Sequence, residues 1–358
     1  MTLSTTGCFL IGVTGPGITA SGEALIGSVS DDPYDVRTFL RLMQPAGSLA
    51  HIGTELFSTS EHDLVERGYF ANPGETTRGV NESGLAFTCA MVFENETAER
   101  TLPATAFAEL STKMMTDCDT VVEAIDLFQS AGASSPAYSV LLADAKGDLA
   151  HVETGAFGVS VNHHYSRQNP GMVFAVNCYL SQKLVNNNAP NSVIENTKNN
   201  NPARRDRGKQ LAQEFRGNLN VESLARILSD HGNRERDPMA NPLLEAWGYS
   251  ICNHGTRRQE TYPPEDLPWG TVSAEIMQPS ERLLWYAYGW PCGEQPEYGD
   301  QIYQEKSWGK FIPFGFVAGG VETAEITALA TVDGEITPAG SLSHGGRAPA
   351  NARELGND

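Results

Sequence analysis

Short apolar runs rich in β-forming residues recur along the chain and predict a strand-rich protein. The first two runs, residues 8–13 and 24–29, are separated by a segment whose Gly and Pro residues are typical of a loop or hairpin connection. A third predicted strand covers residues 84–93. Two further hairpins are predicted, one where YSVLLAD and LAHVETG flank residues 145–147 and one where a turn at residues 279–282 divides TVSAEIMQPSERLLWYAYGWPC.

Three segments are predicted as helices. Residues 120–130 place their apolar side chains near helical spacing, and Thr120 with Glu123 forms a capping box at the start. Residues 203–216 and 221–230 each end close to a glycine, which is a common helix stop. Strands, then helices, then strands again favour an α+β fold in which two sheets are covered by helices, rather than a parallel sheet with regular crossovers.

The composition is that of a globular protein with a sizeable core and an acidic charge balance. The chain has 358 residues, of which 40% are hydrophobic and 19% are charged, and we expect one large domain. Its 44 acidic against 25 basic residues give a net charge of −19, which would repel a phosphate backbone. No apolar run approaches the roughly 20 residues of a membrane span. We therefore expect neither nucleic acid nor a membrane as a partner.

The N-terminus and the cysteines constrain the compartment and the metal chemistry. MTLSTTGCFLIGV lacks the positive leader and the isolated apolar segment of a secretory signal, so a cytoplasmic location is expected. The six cysteines are scattered, without the CxxC pairs of a zinc site or the density of a disulfide framework. The adjacent His163 and His164 and the SDH segment also lack a recognisable ligand spacing. The sequence therefore predicts no metal and no organic cofactor.

Cys8 is a candidate nucleophile because it follows Gly7 at the start of a predicted strand. Cleavage of the peptide bond before Cys8 would create an α-amino group beside its thiol. The pKa of a free α-amine is near ~8, so one residue would supply both a nucleophile and a nearby base. Taken alone, an isolated cysteine in a strand is more often a small hydrophobe.

Short segments between residues 7 and 293 occur in an order that is more specific than any one of them. They are TGC, GEALIGSVSDD, GVNESGLAF, LLADAKGDLAHVE, FAVNCYL, NPARRDR, LARILSDH, SICNH and ERLLWYAYGWPC. Through them the chain resembles the isopenicillin N acyltransferase-like branch of the N-terminal-nucleophile hydrolases, which is related more distantly to the choloylglycine hydrolases. The resemblance implies a four-layer αββα sandwich, self-cleavage between Gly7 and Cys8, and activity on linear carbon–nitrogen amide bonds.

The same resemblance implies the site residues. The last aspartate of the family's second strand lies near the nucleophile, which gives this role to Asp31, with Asp32 as the near alternative; such a carboxylate would orient the α-ammonium. Asn177 corresponds to an asparagine whose side-chain amide donates to the oxyanion, and the backbone N–H of Met91 is a second oxyanion candidate. Arg204 corresponds to an arginine near the nucleophile, where its charge would favour the thiolate and hold acidic neighbours.

Two departures from the family pattern bear on the substrate and the activity. Phe9 stands where many relatives have a small hydroxyl residue, which would change the acyl pocket or the self-cleavage geometry. Ser28 stands where choloylglycine-type relatives carry an arginine. A bile-acid conjugate is therefore not the expected substrate, and Arg204 is left as the main basic candidate.

The sequence thus predicts a self-processing cysteine amidohydrolase that acts on a small-molecule amide through an acyl-cysteine thioester. Residues 1–7 would be a propeptide, residues 8–337 the catalytic domain and residues 338–358 a loose tail. Two alternatives stay open: acyl transfer to an amine or to coenzyme A, and an inactive family member that serves as a binding protein. The oligomeric state also stays open, with a homo-oligomer among the expected forms.

Overall fold

The computed structural model describes most of the chain between Cys8 and Thr331. The described residues are 8–33, 36–43, 45–58, 76–100, 102–190, 192–193, 200–232, 250–253, 269–293, 309–318 and 326–331. The expected propeptide, residues 1–7, and the expected tail, residues 338–358, lie outside them. No helix among the described residues is long and apolar enough to cross a membrane.

The described elements are strands and α-helices in mixed order. The strands are β1 (Phe9–Thr14), β2 (Leu25–Pro33), β3 (Val36–Met43), β4 (His51–Ser58), β5 (Thr76–Asn81), β6 (Ala86–Met91), β7 (Thr105–Ala106), β8 (Ser134–Ser135), β9 (Tyr138–Ala143), β10 (Leu149–Gly155), β11 (Gly158–Tyr165), β12 (Gly171–Val176), β13 (Trp269–Gln278), β14 (Leu283–Tyr288), β15 (Ile312–Ala318) and β16 (Ile326–Thr331). The helices are α1 (Phe107–Asp117), α2 (Val121–Ala131), α3 (Asn201–Glu214) and α4 (Val221–Leu228).

Two seven-stranded antiparallel sheets form the centre of the fold. The first sheet has the order β12-β1-β2-β13-β14-β15-β16, and the second has the order β11-β10-β9-β6-β5-β4-β3. In the first sheet β1 is an inner strand, paired with β12 on one side and with β2 on the other. The start of β1 is therefore fixed by neighbours on both sides.

Alternating side chains of these strands supply three apolar clusters that separate four layers. The space between the sheets is filled from both sides, with Leu10 and Ile26 from the first sheet and Leu141 from the second. On its other face, the first sheet packs residues such as Ile11 against α3 and α4. Burying each large apolar side chain in this way contributes roughly 1.5–3 kcal/mol.

The second sheet is covered by α1 and α2 in the same way. Phe87 and Val140 from the sheet pack with Phe107 and Phe128 from the two helices. The layers therefore follow the order helix, sheet, sheet, helix. This arrangement confirms the α+β, four-layer αββα sandwich predicted from the sequence.

Phe9 lies on the helix-covered face of the first sheet, whereas Cys8 belongs to the cluster between the sheets. A Cβ atom at Gly208 of α3 would lie 2.2 Å from the Phe9 ring, so glycine is required for the helix to pack this closely. Phe9 is therefore part of the packing under α3. The expectation that it shapes the acyl pocket is not supported by this position.

Several local predictions agree with the observed elements. The α2 capping box is present: the backbone N–H of Glu123 donates to the Thr120 hydroxyl at 3.3 Å and the Thr120 N–H donates to the Glu123 carboxylate at 3.0 Å. The β9–β10 hairpin closes with Gly147 at φ 93°, a conformation that favours glycine. The β13–β14 hairpin turns through the short 3₁₀ segment Pro279–Glu281.

Candidate active site

Cys8 immediately precedes β1 and is 8% exposed. The pairing of Phe9 with Val176 of β12 and with Val29 of β2 places Cys8 opposite Asn177 and Ser30. Because odd and even residues of a strand point to opposite faces, the Cys8 side chain faces the space between the sheets.

Arg78, on β5 of the second sheet, reaches the Cys8 thiol. Its Nη2 atom lies 3.5 Å from Cys8 Sγ and also donates to the carbonyl oxygen of Cys89 at 3.2 Å. Its Nε atom lies 3.4 Å from the Glu275 carboxylate, and both side chains are buried. A guanidinium held in this position is a fixed positive charge beside the thiol.

The environment of Cys8 contains opposing influences on its thiol. Burial raises the pKa of Cys8, the nearby Arg78 guanidinium lowers it, and the charges of Asp32 and Asp31 raise it. The backbone N–H of Asp31 also donates to the sulfur and lowers the pKa. The net direction is upward, so an attack by Cys8 requires a base that accepts the thiol proton.

Asp31 and Arg204 form a buried ion pair on the helix-covered side of the first sheet. Arg204 Nη2 donates to Asp31 Oδ2 at 2.8 Å, and both side chains are fully buried. Asp31 also accepts from Thr271 Oγ1 at 2.7 Å and from Asn253 Nδ2 at 3.3 Å. Burial raises the pKa of Asp31, while Arg204 and these two donors lower it. Arg204 thus contacts Asp31, whereas the arginine that contacts Cys8 is Arg78.

Asp32 occupies the opposite face of β2 from Asp31. Its carboxylate accepts from Ser30 Oγ at 2.9 Å, and it is only partly buried. Burial raises the pKa of Asp32 to about 7, although Arg78 lowers it. The two neighbouring aspartates therefore lie on opposite faces of the sheet. Asp31 forms an ion pair with Arg204 of α3, and Asp32 lies on the inter-sheet face with Cys8.

Asn177 and Met91 are brought together, but through a different atom from the one expected. Asn177 Nδ2 donates to the carbonyl oxygen of Met91 at 2.8 Å, and the buried Oδ1 atom of Asn177 has no hydrogen-bond partner among the described residues. The side-chain amide thus lies across from Cys8 with its donor on Met91. An amide nitrogen carries two N–H groups, so Asn177 can hold the Met91 carbonyl with one and donate to an oxyanion with the other.

Ser28 belongs to a buried network around Glu275. Ser28 Oγ donates to Glu275 Oε2 at 3.2 Å and Ser273 Oγ donates to Oε1 at 2.7 Å. Burial raises the pKa of Glu275, and Arg78 lowers it. Choloylglycine-type relatives have an arginine at the position of Ser28. In this chain Ser28 and Arg78, which lie on different sheets, both contact Glu275.

Four of these residues were not predicted from the sequence: Arg78, Glu275, Thr271 and Asn253. Arg78 lies on β5, which was not predicted as a strand. Asn253 lies in the SICNH segment, and Thr271 and Glu275 lie in a predicted strand. In β13 the available signal was the spacing of Ser273 and Glu275 in an otherwise apolar run, because alternate residues share one face. The register shift between Thr271 and Ser273 separates Thr271 from this pattern, and Thr271 bonds to Asp31 instead.

Among the described residues, one group of three side chains could bind a metal ion, and Cys8 is not part of this group. The ligand atoms of His231, Cys252 and Cys292 all lie within 4.8 Å of one another.

Comparison with protein families gives a match over residues 48–260 to the family described as acyl-coenzyme A:6-aminopenicillanic acid acyl-transferase. The matched span includes Arg78, Met91, Asn177 and Arg204, and it begins after Cys8. No curated protein sequence matches the chain.

Two solved structures show the degree of structural similarity. Penicillin V acylase from Agrobacterium tumefaciens is 14% identical, with a TM-score of 0.46 over 78% of this chain and 82% of that chain. A mutant conjugated bile acid hydrolase from Clostridium perfringens is 11% identical, with a TM-score of 0.46 over 78% of this chain and 89% of that chain.

Proposed function

The chain belongs to the acyl-coenzyme A:6-aminopenicillanic acid acyl-transferase family, and we propose that it is a self-processing cysteine amidohydrolase. The family's description as an acyl-transferase supports an enzyme of the N-terminal-nucleophile amidohydrolase or acyltransferase kind. The proposed substrate is a small molecule with a linear amide bond. The observation that carries the proposal is the Arg78 guanidinium 3.5 Å from the Cys8 thiol, at the start of an inner strand.

Maturation is the first step of the proposed mechanism. Hydrolysis of the Gly7–Cys8 peptide bond releases residues 1–7 and leaves Cys8 with a free α-amine. That amine accepts the thiol proton, since its pKa near ~8 is well suited to proton transfer around neutral pH. Arg78 supports the thiolate by its charge, and this offsets part of the burial that raises the thiol pKa.

Acyl transfer to the sulfur follows. The Cys8 thiolate attacks the amide carbonyl and forms a tetrahedral oxyanion, which Asn177 stabilises with the amide N–H that is not bound to the Met91 carbonyl. The α-ammonium returns its proton to the leaving amine as the C–N bond breaks. Water then attacks the thioester, giving a carboxylic acid and the free thiol.

The carboxylates have separate positions in this scheme. Asp31, held by Arg204, Thr271 and Asn253, presents its backbone N–H to the sulfur. Asp32 shares the face of Cys8 and has a pKa raised to about 7 by burial. Its negative charge would stabilise the α-ammonium that forms during attack.

Acyl transfer is the second candidate, because the matching family is described as an acyl-transferase that uses acyl-coenzyme A. The thioester step is shared, and only the acceptor differs: an amine or a thiol replaces water. Product analysis of one amide donor with and without an added amine acceptor separates the two. The inactive-member alternative rested on Phe9, which packs under α3 on the face opposite to the Cys8 side chain.

Intact-protein mass spectrometry of wild type and Cys8→Ala tests the proposal, followed by reaction of each with a thiol-directed probe. We expect wild type to begin at Cys8 and to be labelled there, and Cys8→Ala to keep its N-terminal residues apart from ordinary Met removal. A wild-type protein that keeps Thr2 to Gly7 and does not react at Cys8 would rule out the proposed function.

A further inference from the structure

Three potential metal ligands from separate parts of the chain lie close together near the end of α4. His231 follows α4, Cys252 lies in the described segment 250–253, and Cys292 follows β14. Their imidazole nitrogen and two sulfur atoms all lie within 4.8 Å of one another. The proposed reaction uses none of the three residues.

Hydrogen bonds outside the ligand atoms hold these segments together. Ser229 Oγ donates to the carbonyl oxygen of Pro291 at 2.8 Å, which ties the end of α4 to the residue before Cys292. The N–H of Cys252 donates to the Asp230 carbonyl oxygen at 3.2 Å. The three ligands are thus positioned by backbone contacts that do not depend on their own side chains.

A bidentate ion pair fixes the residue next to His231. Arg207 of α3 donates to the two carboxylate oxygens of Asp230 at 2.9 and 2.7 Å, and the Gly232 N–H donates to the same carboxylate at 2.8 Å. Residues on both sides of His231 are therefore anchored. These contacts fix the backbone that carries His231.

The donor set and its spacing match zinc. Zinc binds cysteine sulfur at ~2.3 Å and histidine nitrogen at ~2.0–2.1 Å in a tetrahedral arrangement, so its ligand atoms lie roughly 3.3–3.8 Å apart. Three atoms within 4.8 Å of one another reach this spacing with small side-chain rotations. Two thiolates and one imidazole favour a soft ion over magnesium or calcium.

We propose that His231, Cys252 and Cys292 bind one zinc ion per chain, with a fourth position open to water. Cys252 is buried, whereas His231 and Cys292 are partly exposed, which gives an ion a route from solvent. The neighbouring Asn253 donates to Asp31 at 3.3 Å. The ion would therefore stabilise the segment that supports the Asp31 carboxylate, while none of its three ligands takes part in the chemistry proposed for Cys8.

Titration of the reduced, chelator-treated protein with cobalt(II), followed by displacement with zinc, tests the proposal. We expect one cobalt per chain, with the thiolate charge-transfer and tetrahedral absorption bands, and loss of these bands on addition of zinc. Cys8→Ala should behave like wild type, because the nucleophile is not a ligand. His231→Gln, Cys252→Ser and Cys292→Ser should each weaken zinc binding by at least ~10-fold.

Cys118→Ser is the matched control, since Cys118 is also a buried thiol but lies at the end of α1. It should retain wild-type zinc affinity. A second measurement needs no variant: zinc should protect Cys252 and Cys292, but not Cys8, from alkylation in the wild-type protein. The proposal is overturned if reduced wild type gives no tetrahedral cobalt spectrum, if the ligand variants keep wild-type affinity, or if zinc leaves the alkylation of both cysteines unchanged.

Discussion

The Nη2 atom of Arg78 lies 3.5 Å from the Sγ atom of Cys8, so one sheet supplies the thiol and the other supplies a cation beside it. Glu275 holds the same guanidinium from the first sheet. The electrostatic environment of the thiol therefore depends on the distance between the two sheets as well as on the sequence around Cys8.

Replacing Arg78 by Met should raise the pKa of the Cys8 thiol, because the charge that lowers it is removed. The pH profile of Cys8 alkylation should move to higher pH, and a displacement by about one pH unit corresponds to a ~10-fold lower thiolate fraction at neutral pH. Arg78→Lys keeps the charge and should retain part of the reactivity. Arg226→Met, an exposed change on α4, is the control. An alkylation profile of Arg78→Met equal to that of wild type would contradict this role.

Removing the Asp31 charge should destabilise the fold. Asp31→Asn leaves the Arg204 guanidinium buried without its ionic partner, and breaking a buried pair in this way costs about 3–5 kcal/mol. Urea denaturation of the protein measures the change. Asp31→Asn combined with Arg204→Met should lose less stability than the sum of the single variants. Asp206→Asn, at an exposed site, should change the free energy of unfolding little, and additive losses in the double variant would refute the coupling.

Replacing Asn177 by Ala should lower kcat far more than it lowers stability. Loss of an oxyanion donor typically costs ~10²–10³ in turnover, whereas the one hydrogen bond to Met91 is worth about 1 kcal/mol. Asn188→Ala provides the contrast, because Asn188 bonds to both backbone groups of Tyr179 and should mainly lower Tm. A kcat for Asn177→Ala close to that of wild type would exclude it as an oxyanion donor.

Asp32 should make stability depend on pH between about 4 and 7. Its pKa in the fold is about 7 against an ordinary value of 3.8, so in this window the folded state keeps a proton that the unfolded state has lost. Its contribution to stability therefore falls as the pH rises. Asp32→Asn should be more stable than wild type at pH 8 by ~1–2 kcal/mol, less than full burial would imply because the carboxyl is partly exposed.

The difference between wild type and Asp32→Asn should shrink as the pH falls towards 4 and vanish well below the ordinary pKa of 3.8, where both states of the wild-type protein are protonated. Thermal unfolding at several pH values measures it. Asp126→Asn, on the exposed face of α2, should show the same pH dependence as wild type. Parallel curves for wild type and Asp32→Asn would show that the carboxyl is not perturbed.

Elements that begin or end with a local signal, such as a capping box or a glycine turn, were predicted from the sequence. The Thr120–Glu123 capping box and the glycine turn after β9 are encoded within a few residues. Strands β3, β4 and β5 were not predicted. Their sequences, VRTFLRLM, HIGTELFS and TTRGVN, carry charged residues within short apolar runs, so the hydrophobic pattern alone did not mark them as strands.

The candidate site also contains residues that local motifs predicted and one contact that they did not. Cys8, Asp31, Asn177 and Arg204 were predicted as site residues from ordered motifs in the sequence. The contact of Arg78 with Cys8 did not, because it crosses from one sheet to the other. A charged residue inside a β-rich segment signals an interior partner, but the sequence does not identify that partner.

The inner position of β1 determines when the protein can become active under the proposed mechanism. The strand is held on both sides, by β12 and β2, so hydrolysis before Cys8 leaves the new chain end in its place. Arg78 reaches Cys8 only after the second sheet has assembled. Before that point Cys8 would lack the cation that supports its thiolate, so the reactivity of Cys8 would report the completed assembly of both sheets.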